Sequence, residues 1–428
     1  VLGWDMGERF TDVHEVHRYL ESLAAASELV SLHPYGETNE GRTLLQVVIA
    51  APGHRARLDE ILATNRELTD PETPEARALE IIAANPGVVY FSYGVHGNES
   101  SSSEAAMWTA WDLARGSADT EGVLQQLVVV LDPMVNPDGR ARYVGGYQQA
   151  RGLVPDPNPA AREHREPWPG GRYNHYLFDL NRDWAWMTQK ETRARLETWD
   201  RWTPLVHVDF HEMGWRSEYF FFPAAKPINP IYPDHILEWG ERIGAGNAEA
   251  FDAEGWLYFT RQNFDLFYPG YGDSWPSLTG AIGMTYEQAG GGFGALAVDR
   301  PDGTTLTLAD RAAHHRTAGK ATLRTAAQGK ADLMQGFAEF HRTVDEGFTD
   351  VLLVPGHRPG SLHALIELLQ GQGIEVESAA EAFQVEAENH PGFESRSEFP
   401  VGTVRVRARQ PRGRLAMALL WPEHFLDA

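Results

Sequence analysis

The 428-residue chain contains no cysteine. Disulfides, thiolate zinc sites and cysteine nucleophiles are thereby excluded, and any bound metal must be held by His, Asp or Glu. Positive charge is scarce as well. Lys and Arg number 37 against 60 Asp and Glu, a formal net charge of -23. Nucleic-acid-binding surfaces are basic, so that class is disfavoured, as is docking to anionic lipid. No apolar run approaches the roughly 20 residues needed to span a bilayer, and no signal peptide opens the chain. The first residue is Val1 rather than Met, which reads as a trimmed or processed start. A secreted or periplasmic protein is the expectation. Length allows about two to three average domains, or one large domain with a satellite.

What is present is an alternation of strands and helices. Residues 11–29 place Val13, Val16, Leu20 and Leu23 at helical spacing. Residues 44–50, 88–93, 124–132 and 205–210 read as strands. The run LQQLVVVLD at 124–132 is almost continuously apolar, which fits a strand covered on both faces. Residues 103–115, 188–202, 234–254 and 306–345 read as helices, and 283–287 as a further strand. The turn-rich PMVNPDGR at 133–140 and the Pro/Gly-dense stretch 145–171 read as turn and loop. The fold class expected is α/β, with a mixed central β-sheet flanked by helices. After Gly347 the pattern restarts with a strand at 350–354, a helix at 361–370 and strands from 373 and between 398 and 421. The expected domains are therefore 1–345 and a small α/β unit, 346–428.

Two predicted strands deliver candidate metal ligands at their carboxyl ends, where sites form in open α/β sheets. His96 and Glu99 follow residues 88–93, three apart, and His211 follows 205–210. His-Glu-His with a fourth position left for water is the arrangement of a catalytic zinc rather than a closed structural one. His207 competes for the role. It shares a strand face with His211 but sits about 13 Å away in an extended strand, and His211, at the strand end, is preferred.

On these residues the sequence resembles the zinc metallocarboxypeptidases, the carboxypeptidase A-like (funnelin) family. His96-Gly97-Asn98-Glu99 is similar to the family's ligand pair. Asn136-Pro137-Asp138-Gly139 matches its turn, and Asp209-Phe210-His211 its third ligand. Arg172 followed by Asp179-Leu180-Asn181-Arg182, and later Tyr286-Glu287, keeps the family's order. The resemblance covers most of residues 10–330 and implies one zinc ion per chain, held by His96, Glu99 and His211. It implies Glu287 as the general base and Arg172 as the oxyanion donor. Asn181 and Arg182 become the clamp for a substrate's free carboxylate. Tyr268, with Tyr271 as competitor, becomes the tyrosine that closes over substrate. Trp275 falls where members preferring basic side chains carry an acid, which points to an apolar or unspecialised substrate pocket.

The expected reaction is hydrolysis of the C-terminal peptide bond of a peptide with a free carboxylate. The alternative is a zinc amidase or deacylase of the same fold, acting on cell-wall peptides or acyl-amino acids. Two departures bear on the substrate. Asp183 follows Arg182 where the family usually has Asn, and Glu212 follows His211 where smaller residues are commoner. The C-terminal unit is similar in broad pattern to flavodoxin-like or amidotransferase-like domains. Without cysteine it cannot be a cysteine-dependent amidotransferase, and an interaction or stabilising role is expected.

Overall fold

The order of buried and turn-forming segments builds one main sheet of eight strands. They are β1 (Val30–Glu37), β2 (Thr43–Ile49), β3 (Gly87–Tyr93), β4 (Leu127–Asp132), β5 (Val206–Met213), β6 (Tyr219–Phe220), β7 (Tyr258–Phe259) and β8 (Ile282–Ala289). Their spatial order is β1-β2-β4-β3-β5-β8-β6-β7. The computed structural model describes residues 1–117, 120–343, 349–388 and 396–421.

β3 is parallel to β4 and β5, and β5 is parallel to β8. β1 and β2 pair antiparallel to their neighbours, and β6 is antiparallel to β8 but parallel to β7, so the sheet is mixed. Every residue of β3 and β4 is buried, because helices cover both faces. Val89 and Phe91 point into one cluster with Ala105 of the helix Ser101–Arg115 and Ala318 of the helix Leu308–Gln328. Val88 and Tyr90 point into the other, with Leu58, Leu62 and Trp202. The alternating directions of a strand thus feed two cores at once. Among the described residues no helix is long and apolar enough to cross a membrane.

Three local expectations are corrected. The Asn-Pro-Asp-Gly turn is the start of a helix, Pro137–Ala150. Asn136 caps it by accepting the Gly139 N–H at 2.9 Å, and Pro137 takes the first helical position. Tyr143, Val144 and Tyr147 then bury against Phe10 at helical spacing, which outweighs the paired Gly145 and Gly146. The long helical region is two helices, Leu308–Gln328 and Lys330–Arg342. They break at Gly329, where a Cβ would lie 2.1 Å from the Trp239 ring. Finally, Gly413–Leu420 is a helix rather than a strand, burying Leu415, Ala416 and Met417.

The expected domain boundary at 345/346 lies outside the described residues. Beyond it, β9 (Val351–Leu353), β10 (Val376–Ser378) and β11 (Val404–Val406) form a separate sheet. β11 lies between the other two and is antiparallel to both, unlike the parallel order of a flavodoxin-like sheet. Leu369, Ile374, Val406 and Leu415 of this unit belong to the same apolar cluster as Trp275 and Phe337. The small sheet is thus seated on the main domain through a shared core.

Candidate metal centre and active site

β3 ends at Tyr93, and Gly94 reverses the chain with φ of 67°, a conformation that favours glycine. The loop that follows carries His96 and Glu99 to the edge of the helix Ser101–Arg115. β5 lies beside β3 and brings His211 to the same place. His96 Nδ1 is 2.7 Å from Glu99 Oε1, and His211 Nδ1 is 2.9 Å from Glu99 Oε2. The two Nδ1 atoms are 3.2 Å apart. All three side chains are buried, and their ligand atoms lie within 4.8 Å of one another.

The outer nitrogens decide what this cluster can hold. His96 Nε2 is 2.9 Å from Asp179 Oδ1, and His211 Nε2 is 2.9 Å from Asp209 Oδ2. A carboxylate at Nε2 keeps the proton there and leaves the Nδ1 lone pair free. Two such lone pairs and one carboxylate converge on a single point, a donor set that fits a zinc ion with one position open. Burial pushes the Glu99 pKa up, but the charges and hydrogen bonds of the two histidines outweigh it and hold the group well below the usual carboxylate range. Glu287 sits on β8 directly opposite His211 in the parallel register. Its Oε2 is buried without a hydrogen-bond partner. Burial, reinforced by Glu99 and Asp209 and opposed by His211 and Arg172, lifts its pKa to about 8.

Comparison with known proteins agrees with this donor set. Residues 16–203 match the family described as zinc carboxypeptidase. The matched segment is 188 of the 428 residues, and over it the chain is similar to that family. The match contains His96, Glu99, Arg172, Asn181 and Arg182; His211 and Glu287 lie beyond it and are joined to the site by the sheet. Carboxypeptidase 2 of Trichophyton rubrum is 22% identical over 223 residues, covering 49% of this chain. The chain spans about a third of that relative's length, 32%. A metallo-carboxypeptidase from Pseudomonas aeruginosa, solved in complex with (2-guanidinoethylmercapto)succinic acid, superposes with a TM-score of 0.50 at 15% identity. The superposition covers 76% of this chain and 70% of that one, and shows a shared fold.

The remaining residues expected at the site fall into place unequally. Arg172 borders the ligands. Its Nε and Nη2 donate to Asp179 Oδ2 at 3.1 and 2.9 Å, while Nη1 lies 3.2 Å from His96 Nδ1 and 3.4 Å from Glu99 Oε1. Arg182 is exposed, stacks over the Tyr271 ring at 4.5 Å and donates Nη1 to the Asn181 carbonyl. Among the described residues no carboxylate lies within ion-pair distance of it. Asp183 does not compete for Arg182, because its carboxylate accepts from Thr188 N–H and O–H and from Gln189 N–H. It fixes the turn at Thr188 and Gln189 that leads into the helix Lys190–Trp202.

Two assignments change. The Asn181 side chain is 8% exposed and already engaged. Its Oδ1 accepts the Gly272 N–H at 2.7 Å, and its Nδ2 lies 3.1 Å from His211 Nε2. Its Oδ1 ties down the glycine loop beside His211, leaving Arg182 as the exposed half of the pair. Trp275 is buried rather than open to a substrate. It is 2% exposed in the short helix Ser274–Ser277, packed on Trp184 and Trp199, with its Nε1–H donated to Gln372. Counting from Tyr268 fails because the loop turns inward at Gly272, whose missing Cβ leaves room for Asp209 Oδ2.

Tyr268 accepts a hydrogen bond from Trp186 Nε1 at 2.6 Å, and its ring lies 5.1 Å from that of Tyr271. Both tyrosines are half-buried at the rim, and Tyr271 is the one beneath Arg182. Glu212, one residue past the third ligand, points to the opposite face of β5. There it pairs with Arg311 at 3.0 Å and accepts the Ser101 N–H, while its own N–H donates to Glu99 at 2.9 Å. His207 is a core histidine among Tyr90, Trp184 and Trp199, and burial holds its pKa down at about 3. The sequence reading missed Asp179 and Asp209 as partners of the histidines. For Asp209 a signal existed: it is two residues before His211 on a strand, hence on the same face.

Proposed function

We propose that the protein is a zinc metallocarboxypeptidase that removes C-terminal residues from peptides carrying a free carboxylate. The observation that carries this reading is Arg182, an exposed guanidinium with no carboxylate partner among the described residues, beside a buried His-Glu-His set. A guanidinium fork matches carboxylate geometry and would hold the substrate's terminus. A zinc ion held by His96, Glu99 and His211 would acidify water and polarise the scissile carbonyl. Glu287, protonatable near neutral pH and opposite His211, would accept the proton of the attacking water and deliver it to the leaving amine. Arg172 Nη1, already at the rim of the ligand cluster, would donate to the carbonyl oxygen as negative charge develops on it. The shelter of the sheet edge, with Glu99, Glu287 and His211 all buried, keeps these charges in a medium that strengthens their effect.

The test is a panel of peptides with free and amidated C-termini, with and without a chelator. Cleavage confined to free termini and lost on metal removal is expected. Equal cleavage of amidated peptides would refute the exopeptidase reading, and turnover only of acyl-amino acids or cell-wall peptides would transfer the site to the amidase class. A secreted or periplasmic location belongs to the same proposal, and cell fractionation tests it.

A further inference from the structure

The small C-terminal unit reaches the proposed active site through one buried side chain. Gln372 ends the helix Pro359–Gly371 and is 2% exposed. Its Nε2 donates to the carbonyls of both Trp184 and Ala185, each at 2.9 Å. Its Oε1 accepts the Trp275 Nε1–H at 2.8 Å. One carboxamide therefore joins two separate segments of the main domain. The first, 179–185, carries Arg182. The second, 268–275, carries Tyr268 and Tyr271. The same segments meet again nearer the site, where Trp184 N–H points at the Gly270 carbonyl at 3.4 Å, Gly272 N–H donates to Asn181, and Arg182 lies over Tyr271. Neither segment is regular structure throughout, so their relative placement depends on such cross-links.

We propose that Gln372 is a positioning residue for the carboxylate clamp, and that the C-terminal unit serves as a buttress that sets the distance between Arg182 and the tyrosine-bearing loop. This rests on the reading of Arg182 as the clamp. The arrangement is specific. Two backbone carbonyls need a donor and an indole N–H needs an acceptor, all out of reach of water, and a primary carboxamide supplies both. An aliphatic side chain leaves all three unsatisfied, so the segments must shift to find water. The unit is held in place independently of this link by the Arg412–Asp200 ion pair and by Arg414, whose Nη1 donates to the Ile231 carbonyl at 2.9 Å.

The experiment compares three variants of the full chain on a peptide with a free C-terminus. Gln372→Met is expected to raise KM about tenfold with kcat within about twofold, because the clamp acts on binding of the terminus rather than on the reacting bond. Gln410→Met is the control. Gln410 is equally buried in the same unit and makes the same number of side-chain bonds, to Glu375 O, Arg407 O and Glu375 N, none of them to the main domain. Its KM should stay at the wild-type value. Arg182→Met reports on the clamp itself and should raise KM at least as far as Gln372→Met. An unchanged KM in Gln372→Met together with a raised KM in Arg182→Met overturns the buttress alone. An unchanged KM in Arg182→Met overturns the clamp reading beneath it. An equal rise in Gln410→Met and Gln372→Met assigns the effect to general loosening of the unit and also overturns the proposal. If Gln372→Met does not fold, Trp275→Phe removes the indole N–H together with part of the ring and leaves the Gln372 donors on the Trp184 and Ala185 carbonyls. It should raise KM in the same direction by a smaller factor, and an unchanged KM there counts against the buttress.

Discussion

The carboxylate behind His211 offers a sharp quantitative test. Asp209 is fully buried, and its Oδ2 lies 2.9 Å from His211 Nε2. Asp209→Asn keeps the size and an acceptor oxygen but removes the charge. The contact is a buried ion-pair approach, and taking the charge from one side of such a charge-assisted contact costs about 1–1.5 kcal/mol. The loss is felt mainly when Nδ1 donates to a cation, because the imidazole must then bear positive charge. That converts to about tenfold weaker zinc binding, at the lower end of the 10–100-fold typical for outer partners of metal ligands. Asp179→Asn should cost less. Asp179 is 16% exposed and its second oxygen is shared with Arg172, so water and the guanidinium already dilute its hold on His96. Competition of each purified variant against a chromogenic chelator measures the affinity directly. An Asp209→Asn protein that binds zinc within twofold of wild type would refute the claim that His211 is driven through its outer nitrogen.

Glu287→Gln should lose about 10²–10⁴-fold in turnover while retaining zinc, as metal analysis of the dialysed protein would show; undiminished turnover would move the base elsewhere. In the metal-free protein the same residue should shape stability against pH. Its folded pKa is raised from 4.5 to about 8, so the stability tied to its protonated form is whole below the lower value and is lost as pH rises through the upper one. Urea melts of chelated wild type should therefore weaken across that window more steeply than those of Glu287→Gln, and parallel curves would contradict the shift. Glu212→Gln strands the buried Arg311 and should destabilise the fold by about 3–5 kcal/mol, with KM for peptides unchanged in the folded fraction. A changed preference for substrates bearing amines would instead place Glu212 in the cleft.

The chain's linear order carried much of this. Largely apolar runs at 88–93, 124–132 and 205–210 announce strands covered on both faces, although 124–126 belong to the short helix Val123–Gln126 and the strand itself begins at Leu127. The spacing His96-x-x-Glu99 and the strand-end His211 are legible because metal ligation demands particular atoms on rigid supports. The carboxylate partners were harder. Asp209 could have been read from strand alternation, but Asp179 reaches His96 across 83 residues of chain, and no local pattern encodes that contact.

Counting positions failed where side-chain direction depends on packing. Trp275 occupies the expected place in the sequence, yet the loop folds inward over Asp209 and buries the ring on Trp184 and Trp199. Asn181 and Arg182 are neighbours in sequence but face opposite ways, one tying down the glycine loop and the other open to solvent. The sequence alone determined the chemistry available: a thiol-free His-Glu-His set, a carboxylate at Glu287 and two arginines in a fixed order. Tertiary structure decided which of those groups face the cleft. Parallel pairing of β5 with β8 sets Glu287 opposite His211, and the β5 pleat turns Glu212 away toward Arg311. The link from Gln372 to the 179–185 and 268–275 segments likewise exists only in the folded chain. Direction and proximity are properties of packing, and packing joins residues that sequence distance keeps apart.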